Sequence, residues 1–237
     1  AQNRSYSSVV VLLVAAVVLN MAAFWVVRQP WFCLEWTGRA AQTPEGANTM
    51  PCALFGYTSE AELKGVTVKN FVIGSTDKYQ AALVGHATNT TITDCQLEGK
   101  IKFYNLYSGG LVGYMSSGCL SSCRVNGLVE NDVKGNNTAE ETNVAYTAGF
   151  VGHAIDGALI ENCTLSGDVA TMARYAAGIV ARVENATIRG CSVLNTAEIS
   201  NVSNYCGGIV AIMVDNNSLI ESCRFEGRVN TSYPIAG

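Results

Sequence analysis

Six times along the chain a glycine- or alanine-led apolar step recurs, and this repeat restricts the fold more than any other feature. The steps are Ala53-Leu54-Phe55-Gly56-Tyr57, Ala82-Leu83-Val84-Gly85-His86, Gly110-Leu111-Val112-Gly113-Tyr114, Gly149-Phe150-Val151-Gly152-His153, Gly178-Ile179-Val180-Ala181-Arg182 and Gly208-Ile209-Val210-Ala211-Ile212. They follow one another at about 29 residues, with one interval about ten residues longer. The extra length lies between Val133 and Thr142, where Lys134-Gly135-Asn136-Asn137-Thr138-Ala139-Glu140-Glu141 is polar and turn-rich and reads as a loop pushed out of one coil.

Placing the copies in register aligns further columns. Leu63, Ile92, Leu120, Ile160, Ile188 and Ile220 form one; Val66, Cys95, Cys123, Cys163, Cys191 and Cys223 stand three residues later; Val68, Leu97, Val125, Leu165, Val193 and Phe225 stand two beyond those. A turn residue follows in each copy, at Asn70, Gly99, Gly127, Gly167, Asn195 and Gly227. A tyrosine column, Tyr79, Tyr107, Tyr146, Tyr175, Tyr205 and Tyr233, completes the pattern. The Cys and Leu columns are two residues apart with polar flanks, the alternation of a half-buried strand. Coils of this length that stack strand on equivalent strand form a parallel β-solenoid, with like residues in ladders ~4.8 Å apart. Ile160-x-x-Cys163-x-Leu165 also imitates a leucine-rich repeat strand, but the other half of that repeat needs a helix or compact turn. Here that half is the glycine-bearing Tyr-x-x-Gly pattern, and glycine disfavours helix. The expected fold is therefore all-β, a parallel β-helix of about six coils over 53–237.

Gly149-Phe150-Val151-Gly152 with Ile160-Glu161-Asn162-Cys163-Thr164-Leu165-Ser166-Gly167-Asp168-Val169, and the run from Gly110 to Cys123, resemble the GLUG-motif repeats of cell-surface and secreted proteins. The resemblance covers about residues 53–237, and Ala181 and Ala211 depart from it where the second glycine is replaced. It implies a structural or adhesive solenoid and transfers no catalytic residue.

The N-terminal segment, 1–36, carries a different signal. Val9 to Val27 is apolar apart from Asn20, and ~20 such residues span the hydrocarbon core of a bilayer. The sequence thus predicts an N-terminal transmembrane α-helix, with Trp25, Trp31, Phe32 and Trp36 as interfacial aromatics. A signal-peptide reading would need cleavage near Asn20-Met21-Ala22-Ala23. Arg4 and Arg28 flank the span and leave its orientation open. Residues 37–52 read as a linker to the first coil.

Asn-x-Ser/Thr occurs eight times, at Asn3, Asn89, Asn136, Asn162, Asn185, Asn201, Asn216 and Asn230, against roughly three expected by chance. Glycosylation at Asn89, Asn136, Asn185, Asn201, Asn216 and Asn230 fits an extracytoplasmic chain, although solenoid turns are rich in Asn, Ser and Thr for their own reasons. Of the nine cysteines, Cys95, Cys123, Cys163, Cys191 and Cys223 form the ladder and read as small buried apolar side chains. Cys33 and Cys52 bracket the linker and are the disulfide candidates. Cys119 and Cys206 lie outside the ladder.

No constellation announces catalysis, and no cofactor or metal is expected. His86 and His153 share a column with Tyr57, Tyr114, Arg182 and Ile212; with a coil between them they would stand ~10 Å apart, too far to share an ion, and the column reads as exposed stacking. Asp156, Glu184 and Asp215 fall at similar places in three consecutive coils and could form a calcium site or acid/base pair. A net charge of −4 argues against nucleic acid as a partner. Tyr233-Pro234-Ile235-Ala236-Gly237 has the Tyr-x-x-Gly form that opens a coil, so the solenoid is expected to continue.

Three functions follow: a membrane-anchored extracytoplasmic structural or adhesive surface element, whose partners include the bilayer and surface glycans; an accessory subunit of a membrane assembly or filament; or a carbohydrate-active β-helix using the acidic trio.

Overall fold

The computed structural model describes the strand segments 35–36 and 39–40, and residues 51–73, 78–104, 106–132, 144–201 and 205–231. The expected membrane helix over 9–27, Cys33 and the 134–141 loop lie outside these residues. No helix among the described residues is long and apolar enough to cross a membrane.

Three parallel sheets run through the described residues, and each turn from Tyr79 onward contributes to all three. The first sheet carries the glycine-led steps and the Ile column, as in Val84–Thr93 and Val112–Ser121, or in paired segments such as Val151–Ile155 with Leu159–Glu161. The second carries the Cys-side strands, including Gln96–Phe103 and Arg124–Asn131. The third is built from Tyr79–Ala81, Tyr107–Gly109, Tyr146–Ala148, Tyr175–Ala177 and Tyr205–Gly207. Its five strands set the size of the solenoid at about five turns, fewer than the six steps suggest. The turn containing Phe55–Ser59 meets the third sheet only through a bridge between Cys52 and Gln80. Tyrosine and glycine thus open a separate third side of each coil, which the sequence pattern had run together with the first.

Stacking is in register throughout. Leu63, Ile92, Leu120, Ile160, Ile188 and Ile220 pair in succession. Val68, Leu97, Val125, Leu165, Val193 and Phe225 do the same. Backbone hydrogen bonds therefore run from turn to turn, as in Leu83 N–H to Leu111 O (3.2 Å), and the inward side chains fill one continuous apolar core. A further column, Ile101, Val129, Val169, Ile199 and Val229, occupies the end of the second sheet, its first four members in the core and Val229 exposed. Where that sheet meets the third, Asn131 Nδ2 donates to Ser108 Oγ (3.2 Å) and Thr147 Oγ1 (2.9 Å), and Thr171 Oγ1 donates to Thr147 Oγ1 (3.2 Å). All four are buried, so the polar corner is hydrogen-bonded within itself.

Short polar residues make the corners. Asp94, Ser122, Asn162 and Ser222, each one residue before its ladder Cys, hold positive φ of 54°, 55°, 54° and 54°. Such residues tolerate the left-handed conformation through local hydrogen bonding, which swings the chain from the first sheet into the second. Gly127, expected at a turn, lies instead inside Arg124–Asn131. A Cβ there would stand 1.8 Å from Gly99 O, so this rung requires glycine because two backbones approach each other too closely for a side chain.

Candidate functional site

Two ring columns form the main surface feature. The tyrosines opening the third sheet lie in register, and from Tyr107 onward they stack face to face. Tyr107–Tyr146, Tyr146–Tyr175 and Tyr175–Tyr205 have centroids 5.2, 4.9 and 4.8 Å apart at interplanar angles of 8°. On the first sheet, Tyr57, His86, Tyr114, His153 and Arg182 pair in the same order. Tyr79 contacts His86 (5.4 Å) and Tyr114 (4.9 Å), while Tyr107 stacks on His153 (5.5 Å), so the columns interleave into one aromatic seam.

The seam turns a tight corner. A Cβ on Gly109 would sit 1.9 Å from Val112 O, and this closeness brings Tyr107 alongside Tyr114 and His153. Tyr114 fills the space between the two histidines, 4.7 Å from His86 and 5.1 Å from His153. The histidines are thus separated by a ring and share no ligand. The expected exposure of this column holds for Tyr57 but not for His153, which is only 7% exposed because the neighbouring tyrosines cover it.

Charge inside the seam is managed by one cluster. Arg182 Nη1 donates to Tyr146 Oη (3.1 Å) and Nη2 to Glu184 Oε2 (3.4 Å), with Cζ 5.6 Å from the Tyr146 centroid. Arg174 lies over Tyr175 (5.7 Å) and Tyr205 (5.8 Å) on the stacked rings. His153 is packed among these groups, with Nε2 3.8 Å from Glu184 Oε2 and no hydrogen bond to either ring nitrogen. Burial, with Arg182 adding to it, lowers the imidazole pKa to about 3 and keeps His153 neutral at physiological pH. Burial also raises the Tyr114 phenol to about 12, with smaller effects from Tyr79 and Asp156. The rings stacked from Tyr107 to Tyr205 cover one another's faces, so they give the seam rigidity rather than an open platform.

The ladder cysteines lie at the inner corner between the first and second sheets. Cys95, Cys123, Cys163 and Cys191 are buried and Cys223 is half-buried. Each thiol donates toward the carbonyl of the Ile column one turn back: Cys95 to Leu63 O (3.9 Å), Cys123 to Ile92 O (3.8 Å), Cys163 to Leu120 O (3.7 Å), Cys191 to Ile160 O (3.6 Å) and Cys223 to Ile188 O (3.7 Å). Hydrogen bonding to Cys123 and Cys191, with burial, raises Cys163 well above the ordinary thiol range. Cys119 and Cys206 stand apart, donating to Glu161 Oε1 (3.9 Å) and Ile199 O (3.5 Å). Cys52 is buried beside the third sheet, where its N–H donates to Tyr79 O (2.8 Å).

Each carboxylate of the acidic trio is engaged by partners of its own. Asp156 Oδ2 accepts from Ser116 Oγ (3.0 Å), Glu184 faces Arg182, and Asp215 caps a turn through the N–H groups of Asn185 (2.5 Å), Asn217 (2.6 Å) and Ser218 (2.8 Å). Among the described residues no group of three or more His, Cys, Asp or Glu could hold a metal ion at one point.

The candidate glycosylation sites differ in setting. Asn89, Asn185, Asn216 and Asn230 are exposed, and Asn89 and Asn185 sit at left-handed corners with φ of 45° and 50°. Asn201 is 1% exposed and its Nδ2 donates to Tyr205 O (3.1 Å), so that amide belongs to the core. Asn136 lies outside the described residues.

Both ring columns are legible in the sequence, and so is the signal that joins them. In five copies the two positions are seven residues apart: 79 and 86, 107 and 114, 146 and 153, 175 and 182, 205 and 212. A constant offset across a tight glycine corner places them side by side.

No curated protein matches the chain. Residues 143–170, which carry the third full turn with Tyr146, His153 and Cys163, match the family model described as the GLUG motif, so the chain is a β-solenoid consistent with a GLUG-repeat protein.

Proposed function

We propose that this solenoid is a membrane-anchored, extracytoplasmic structural or adhesive element that works without catalysis. The observation that carries the reading is the aromatic seam, because its rings are used to brace one turn against the next rather than to line a cleft. The acidic trio supports the same reading, since each carboxylate is engaged by its own local donors. Residues 9–27 anchor the chain in the bilayer. Polar outer faces, and the sugars borne by exposed sequons such as Asn185, meet neighbouring subunits or surface glycans. The solenoid's own job is to hold these surfaces at a fixed distance from the membrane.

Impermeant labelling of intact cells tests this. The solenoid should be labelled from outside and fractionate with membranes, and deleting 9–27 should release it from them. A solenoid protected from the label in intact cells, but labelled after permeabilisation, would refute the extracytoplasmic placement.

A further inference from the structure

The ladder thiols do something that apolar filler would not: they form a straight line of soft donors. The flanking rungs Gln96, Arg124, Thr164, Ser192 and Arg224 pair in succession, so Cys95, Cys123, Cys163, Cys191 and Cys223, one residue before each, are also in register. One sulfur therefore stands on each turn, beside the Ile-column carbonyl of the turn before it. The rung repeat of a parallel sheet is ~4.8 Å. Two metal–thiolate bonds of ~2.3 Å laid end to end span ~4.6 Å, and soft thiolates select ions such as copper(I). A disulfide would instead need the sulfurs ~2 Å apart, drawn away from their carbonyl acceptors.

The geometry points to the cysteine column as a linear binding site for soft monovalent ions, copper(I) or silver(I), each held by two thiolates from successive turns. Four ions fit in the four gaps between five sulfurs. Holding every ion between two thiolates uses all five sulfurs as thiolates, so four ions enter and five protons leave. The column's net charge changes by only −1, so most of the penalty for placing a row of bare thiolates in an apolar core is offset by the ions. The one-dimensional arrangement also sets the selectivity. Zinc needs four donors around a point, and this column offers two on a line.

The test is a silver(I) titration of the folded, reduced protein in chloride-free buffer, counting bound ions by native mass spectrometry and released protons by pH-stat. The baseline is a variant lacking all five ladder thiols. Above it, wild type should take up four ions and release five protons. Cys163→Ser splits the column into two pairs and should reduce uptake from four to two; Cys223→Ser should reduce it to three. Cys163→Ala serves as a second mid-column variant, and far-UV circular dichroism establishes that each variant is folded. Cys119→Ser and Cys206→Ser should leave the ladder count at four. The proposal is overturned if Cys163→Ser and Cys163→Ala bind as many ions as wild type, or if silver(I) reaches the ladder thiols only after the protein unfolds in urea.

Discussion

Acidification should destabilise this solenoid through His153 in a way that can be separated from the carboxylates. The imidazole titrates near its ordinary value of 6.5 in the unfolded chain and at about 3 in the folded one. Between these values the unfolded state binds the extra proton, so stability falls as pH drops through 6.5 and continues to fall until about pH 3. At pH 4 the unfolded imidazole is about 2.5 pH units below its pKa and the folded one is still neutral. At about 1.4 kcal/mol per unit, the loss relative to pH 7 is about 3 kcal/mol. His153→Phe keeps a ring against Tyr107 and Tyr114 but cannot take up a proton, so the variant isolates this contribution whatever its stability at pH 7. Urea unfolding at pH 7 and pH 4, followed by circular dichroism, gives the pH-dependent change for each protein. Wild type should lose about 3 kcal/mol more than His153→Phe. Equal losses, to within about 1 kcal/mol, would refute the reasoning and mean that His153 is protonated in the fold, paired with Glu184.

Two further substitutions probe how the turns are joined. Gly127→Ala places a methyl 1.8 Å from Gly99 O, whereas Gly157, with φ of 83°, has open space around it. Gly127→Ala should therefore lower the thermal midpoint far more than Gly157→Ala, for which the left-handed backbone sets a cost of about 1–2 kcal/mol; equal shifts would contradict the close approach. Thr147→Val removes the hydroxyl that accepts from Asn131 and Thr171, leaving buried donors short of a partner at a cost of about 1–3 kcal/mol. Urea titration measures this, and a neutral result would show that the corner hydrogen bonds are replaced.

The parts of the fold legible in the sequence were those repeated at a fixed offset within each copy. The Ile, Cys and Leu columns sit at constant spacing, so their apolar alternation added up over six copies and gave a parallel solenoid. The Ile101, Val129, Val169, Ile199 and Val229 column was harder to see. It stands six residues after its Cys in four cases, but Ile199 is eight residues after Cys191, because Leu194-Asn195-Thr196-Ala197 lengthens that corner. The third sheet was hidden for another reason. Its strands are three residues long and carry small or polar residues such as Gln80, Ser108 and Thr147. These satisfy hydrogen bonds at a corner instead of advertising an apolar face. The seam was legible only as two separate lists, since stacking depends on which way the glycine corner folds.

Because every turn is joined to the next by hydrogen bonds that run along the solenoid, this axis is also its direction of mechanical weakness. A tension applied along it loads the turns in series, so the least-bonded rung yields first and the others keep their pairing. A tension across the axis is shared by many parallel strands at once. A solenoid built this way resists shear better than it resists being drawn out.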